Sequence, residues 1–248
     1  MPSLGLRHHF LSLARLFSRG RHEDISDAQQ KVAPALEALP YFSALRTFEQ
    51  ASQILQRENI YGSGPPTPTV SEETFHHVKK HAGRRILDVG CGIGAYTKAL
   101  AQVGYECIGI ENNQAYIVEC QKSGIDARRM DAHRLAFPEN AFDTVIMLEV
   151  LEHLLEPLVA LHEAFRVTKK NVIISVPNID VIPIMSKYQV VPWHLLEATH
   201  VNFFTPKLLD STLRKFARTT EVFTYGHFAP WITEQEMHMH IYGVGWKF

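Results

Sequence analysis

The stretch Ile86–Tyr96, "ILDVGCGIGAY", decides the fold. It joins a short apolar run to a helical pattern through Gly90, Gly92 and Gly94. Glycines between a strand and a helix let the backbone turn tightly and approach a ligand closely. The spacing alone is ambiguous, because Gly90, Gly92 and Ala95 also satisfy the dinucleotide-binding G-x-G-x-x-A pattern. Asp88 separates the two readings. A carboxylate two residues before the first glycine repels a pyrophosphate and suits an ammonium or a sulfonium. Glu111, closing the next apolar run, suits a ribose diol and fits either reading.

Outward from this loop the pattern alternates. "YECIGIE" (105–111), "IDARRMD" (125–131), "AFDTVIMLEV" (141–150) and "KNVIISVPN" (170–178) read as strands. "AYTKALAQVG", "NQAYIVECQKSG" and "EPLVALHEAFRVT" read as the helices between them, the last with Pro157 in its first turn. Such alternation implies right-handed crossovers and a parallel sheet, the α/β Rossmann-like class with helices on both faces. After residue 205 a helix capped by Thr205 precedes two strand-like runs, 220–228 and 238–248, which fit an antiparallel pair at the sheet edge. In the second of these, His238 and His240 share one face, read as the exposed side of a surface strand.

From Arg85 to Asn178 the chain resembles the class I S-adenosylmethionine-dependent methyltransferases. The likeness rests on "ILDVGCGIG", "GIE" and "MDAHRLAFPENAFDTVIMLEVLEHL" in that order. It implies a seven-stranded, mostly parallel sheet ending in an antiparallel hairpin. It also implies that Asp88 and the loop Gly90, Cys91, Gly92 and Gly94 hold the methionine part of the cofactor. Glu111 would bind the ribose hydroxyls. Asp131 and the Ala132 N–H would bind adenine, and Asn112 and Leu148 would flank the adenine or the sulfonium. Taken from the residues themselves, Cys91 reads as a small buried filler.

Methyl transfer to oxygen requires the acceptor to lose a proton, which calls for a base or a Lewis-acid metal. "LEVLEHLLEP" (148–157) follows the fourth strand and offers Glu149, Glu152 and His153. These converge if the chain there forms a helical turn, since positions three and four apart share a face. A long insertion at about 179–204 supplies His194, Glu197, His200 and Asn202, with Trp193, Phe203 and Phe204 beside them. The turn is similar to that of quinone-biosynthesis O-methyltransferases and of small-RNA 2′-O-methyltransferases. The latter likeness implies a divalent ion on Glu149, Glu152, His153 and His200; the donor set suits Mg, Mn or Zn. A metal-free site, with His153 or His200 as base, is the alternative.

With 248 residues, 46% apolar and 21% charged, the chain can bury its own core without disulfides. Cys91, Cys107 and Cys120 cannot all pair, which suits a reducing compartment. The net charge of −1 gives no global nucleic-acid footprint. Arg128, Arg129 and Arg134 read as a solvated edge. No apolar run is long enough to span a bilayer. Residues 1–26 form a basic leader with Arg7, Arg15, Arg19 and Arg21 and no acid before Glu23. Its composition resembles a mitochondrial transit peptide or a basic surface helix, so the expected location is cytoplasmic, or the mitochondrial matrix on the first reading. Residues 27–82 read as a helical extension capping the methyltransferase domain of 83–248, with a helix started by Ser71. The expectation is an S-adenosylmethionine-dependent methyltransferase acting on a small molecule, at oxygen. The rivals are a metal-assisted RNA 2′-O-methyltransferase and a non-catalytic protein of the same fold. The oligomeric state is left open.

Overall fold

A computed structural model describes residues 68–187, 195, 197, 199–227 and 237–247. The leader 1–26, most of the extension 27–82, and Trp193 and His194 lie outside the described residues. The described chain builds one sheet from β1 (Arg85–Val89), β2 (Glu106–Glu111), β3 (Ala127–Arg129), β4 (Phe142–Leu148), β5 (Thr168–Pro177), β6 (Thr219–His227) and β7 (His238–Trp246). The strand order is β3-β2-β1-β4-β5-β7-β6. The pairs among β1 to β5 are parallel, and β7 runs antiparallel to both β5 and β6. This is the expected seven-stranded arrangement.

The sheet is buried on both sides because its central strands are apolar at consecutive positions. Leu87, Val145, Met147, Val172, Ile174 and Ile241 pack on one face against α4 (Pro157–Val167) and α6 (Pro206–Leu213). Ile86, Ile146, Ile173, Tyr242 and Val244 pack on the other, against Val78 of α1 (Glu72–His81) and Leu100 of α2 (Ala95–Gln102). Each such side chain contributes about 1.5–3 kcal/mol of burial. Close approach of α6 depends on Gly243, where an added Cβ would stand 2.9 Å from Leu209 and Leu213. Helix starts follow local chemistry. Ser71 accepts from Thr74 N at 3.3 Å, and Thr205 accepts from Leu208 N at 3.1 Å, as the sequence leads one to expect. Asn113 caps α3 (Gln114–Lys122) in the same way.

The segment after β5 contains a 3₁₀ turn, Ile179–Val181, and a short helix α5, Ile182–Lys187. Its return is stitched to the turn after β4. Val201 and Asn202 N–H groups donate to the Glu152 carbonyl, and the Asn202 amide donates to the carbonyls of Leu151 and Leu154. Asn202 therefore clamps backbone to backbone. Arg128 pairs with Asp126 on the edge strand side, and Arg129 donates to the Asn112 carbonyl.

Candidate active site

The glycine loop is held by its own steric needs. Gly90 has φ +75, and an added Cβ would stand 2.6 Å from Val150. Gly94 caps α2 at φ +81, and an added Cβ would stand 2.8 Å from Ile125. Only glycine takes both conformations cheaply. Cys91 belongs to this loop and is half-buried, and burial pushes its thiol pKa far up, which disfavours a nucleophilic thiolate.

Asp88 is 3% exposed at the carboxyl end of β1. Thr97 donates to it at 2.7 Å, yet burial raises its pKa to about 6. A buried carboxylate in that state favours a cationic partner. Glu111 ends the neighbouring strand. Its Oε2 accepts from Gly92 N at 3.0 Å, and its Oε1 accepts from Asn112 N and Asn113 N at 2.8 and 2.9 Å. The carboxylate is thus fixed against the loop, with about one of its four acceptor directions left over. Asp131 is exposed beyond β3. Its Oδ1 accepts from His133 N and pairs with His133 Nδ1 at 2.7 Å, bonds that lower its pKa. Among the described residues the Ala132 N–H donates to no protein group. Leu148, half-buried, ends β4 beside these groups.

On the acceptor side, Glu149, Glu152, His153 and His200 do not all meet. One ligand atom each from Glu152, His153 and His200 lies within 4.8 Å of the others. Glu152 is 1% exposed, and among the described residues no hydrogen bond from another residue reaches either carboxylate oxygen. Burial and then the charge of Glu149 raise its pKa well above the carboxylate range. His153 and His200 stand edge to face at 4.7 Å. Thr199 donates its hydroxyl to Glu197 at 2.8 Å and so accepts from His153 Nδ1 at 2.9 Å. That tautomer puts the His153 lone pair on Nε2, which lies 3.9 Å from Glu152 Oε1. Glu197 orients this pair through Thr199.

Glu149 departs from the expected shared face because the helical turn begins two residues later, at Leu151. Glu149 sits at φ +55. Its N–H still pairs with the Ser175 carbonyl at 2.9 Å, as if β4 continued. Its carboxylate accepts from Ser175 Oγ at 2.7 Å and lies 3.3 Å from His240 Nδ1. The reading of β7 as a surface strand is corrected in the same place. β7 lies between β5 and β6, and the His240 side chain is only 27% exposed. The His238–His240 alternation was the one available signal, and it left the strand order undetermined. Thr199, Ser175, Tyr225 and Tyr96 carry no such signal.

Residues 87–176 match the methyltransferase domain family. The ubiquinone biosynthesis O-methyltransferase of Pseudomonas entomophila is 38% identical over 96 residues, 36% of this chain and 41% of that protein. That of Ruegeria pomeroyi is 31% identical over 148 residues, 54% of this chain and 59% of that protein. The chain thus spans about two fifths to three fifths of these relatives. A SAM-dependent methyltransferase from Archaeoglobus fulgidus shares the fold at TM-score 0.58 and 17% identity, covering 84% of this chain and all of that one. One from Mesorhizobium loti does so at TM-score 0.54 and 15% identity, covering 71% and 96%. Residues 87–176 thus match a methyltransferase domain, and the described sheet has the fold of solved S-adenosylmethionine-dependent methyltransferases.

Proposed function

We propose that the chain transfers the methyl group of S-adenosylmethionine to a hydroxyl of a small acceptor. The observation that carries this is a juxtaposition at one edge of the sheet. Asp88, the glycine loop and Glu111 stand at the ends of β1 and β2, and the polar cluster after β4 faces the same edge. Asp88 would meet the cationic methionine end, Gly90–Gly94 would admit its backbone closely, and Glu111 would take a ribose hydroxyl. Asp131 and the Ala132 N–H would read adenine. The cofactor supplies an activated methyl group on a sulfonium, so the protein's task is alignment and proton removal. The likeness to ubiquinone biosynthesis O-methyltransferases supports oxygen as the acceptor atom and a small molecule as its carrier. Val201, Phe203 and Leu155 are exposed beside the turn and suit an acceptor with an apolar body.

Glu152, His153 and His200 fit a divalent ion. Their ligand atoms converge, and among the described residues no hydrogen bond from another residue reaches the buried Glu152 carboxylate. An ion bound there would make an adjacent hydroxyl more acidic. Glu149 is not part of this set.

Calorimetry with S-adenosylmethionine and its demethylated product, with and without EDTA, tests both sites. Binding of neither compound removes the methyltransferase reading. A tritiated-methyl screen over metabolite and RNA pools then identifies the acceptor. Label in RNA alone would replace the small-molecule reading, and transfer unchanged by chelation would remove the ion.

A further inference from the structure

We propose that His240, held by Glu149, takes the proton from the acceptor hydroxyl, so that the base stands on β7. This rests on the reading of the chain as a hydroxyl methyltransferase and names a residue for it.

Three strands and a strained turn build the pair. Glu149 follows β4 at φ +55, a conformation uncommon for a side chain other than glycine, asparagine or aspartate. Such residues persist where the surroundings over-determine them, and they cluster at active sites. Here β5 does so twice, through the Ser175 carbonyl and hydroxyl. The second carboxylate oxygen lies 3.3 Å from His240 Nδ1. The contact is an ion pair rather than an aligned hydrogen bond, and a proton drawn to Nδ1 by that carboxylate puts the ring's lone pair on Nε2. The ring itself is fixed. Tyr225 of β6 lies tilted against it at 5.4 Å and 31°, and Gly226 leaves it room, since a Cβ there would stand 2.8 Å from Cδ2.

The pair is reachable and near the cofactor end. The side chains of His240 and Glu149 are 27% and 33% exposed, while the facing Nδ1 and Oε2 atoms are buried. Val150, the next residue, touches Gly90 of the glycine loop. Tyr96, in the first turn of α2, feels the charges of both Asp88 and Glu149. A carboxylate that fixes an imidazole tautomer and steadies the imidazolium is a general way to build a base. His153 differs, because Thr199 rather than a carboxylate holds its Nδ1.

The balance is simple. The hydroxyl oxygen bonds to the methyl carbon while the methyl–sulfur bond breaks, its electron pair remaining on sulfur. The hydroxyl proton passes to Nε2, and Glu149 neutralises the imidazolium. Among the described residues, the titratable groups around the ring include Glu149, Glu73 of α1 and Tyr225. Burial disfavours the charged ring, but Glu149 outweighs it, and the His240 pKa lies above 6.5. The base is competent only when neutral, so the acid limb of the rate profile lies above pH 6.5.

The test uses the full chain, tritiated S-adenosylmethionine and two probes, catechol and 4-nitrocatechol, whose nitro group makes the hydroxyl far more acidic. H240Q should slow catechol methylation on the order of 10²–10⁴-fold. Cofactor affinity should stay unchanged, the acid limb should vanish, and nitrocatechol should lose far less. Imidazole ¹⁵N spectra should show neutral His240 protonated on Nδ1, with a lower titration midpoint in E149Q. E149Q also serves should H240Q not fold. A wild-type rate and unchanged acid limb in H240Q, or an Nε2–H tautomer, would overturn the proposal and leave the transferase reading intact. Methyl transfer to neither catechol, nor to any hydroxyl compound of the metabolite screen, by a protein that binds the cofactor would overturn both.

Discussion

Asp88 carries a cost in the free protein at neutral pH that a cationic ligand would relieve. Its folded pKa of about 6 stands above the ordinary 3.8, so the folded state holds this proton more tightly than the unfolded chain. Stability from this group therefore falls as pH rises from 3.8 to 6, and the full cost is present above 6. At 1.36 kcal/mol per unit over about two units, that cost is on the order of 3 kcal/mol. D88N should accordingly melt higher than the wild type at pH 8 and close to it at pH 4, while losing cofactor binding. Melting curves at both pH values with calorimetry check this; a D88N that binds S-adenosylmethionine normally would remove Asp88 from the site. Wild-type affinity for the cofactor should rise as pH passes upward through 6, because the ionised carboxylate meets a cation. Asp88, Gly90 and Glu111 were legible because strand ends and glycine turns are local features. His240 was not. Its pairing with Glu149 joins residues 91 apart and exists only because β7 inserts between β5 and β6.

α1 is held to the sheet by aromatic contacts that include two histidines. His77 packs among Phe223, Tyr225 and Tyr242, and His81 lies against Tyr242 and Trp246. Burial, before any charge, lowers both pKa values, with Glu221 opposing it and Lys80 adding to it at each ring; Glu73 and His76 also act on His77. Both rings are neutral in folded and unfolded chains above pH 6.5. Below it the unfolded chain protonates first, so stability is lost as pH falls from 6.5 through the lowered folded values. Hydrogen exchange should show α1 loosening first between pH 7 and 5, and H77F together with H81F should flatten that dependence. An unchanged slope would mean that α1 is anchored by other groups. Nearly every element was legible from periodicity and caps, because each encodes its own period and its own stop. The exceptions were the short helix α5, which lies in a segment read only as a long insertion, and the turn after β4. Glu149 keeps a strand-like bond to β5 while its φ turns positive, and that conflict is settled by the sheet rather than by local sequence.

The sheet gathers the carboxyl ends of β1, β2 and β4 at one edge, so the proposed cofactor and ion sites would share a wall. That wall is the segment 149–153, which touches the glycine loop through Val150 and offers Glu152 and His153 beyond it. A ligand at about 100 times its Kd stabilises the fold by about 2.7 kcal/mol. For a chain of this length each kcal/mol shifts the midpoint by about 2–4 °C, so saturating S-adenosylmethionine should raise it by about 5–11 °C. Sites sharing a rigid segment couple by about 0.5–3 kcal/mol, whereas independent sites add. The cofactor, by ordering 149–153 against Gly90, should pre-pay part of the cost of assembling Glu152, His153 and His200 around Mn²⁺. The combined thermal shift should therefore exceed the sum of the separate ones, and H200A should abolish the Mn²⁺ share while leaving the cofactor's share in place. Simple additivity would show that the two sites do not communicate through the turn. No Mn²⁺ shift in the wild type, with the cofactor's shift present, would leave the cluster as a polar wall and shift the whole burden of proton removal to the Glu149–His240 side.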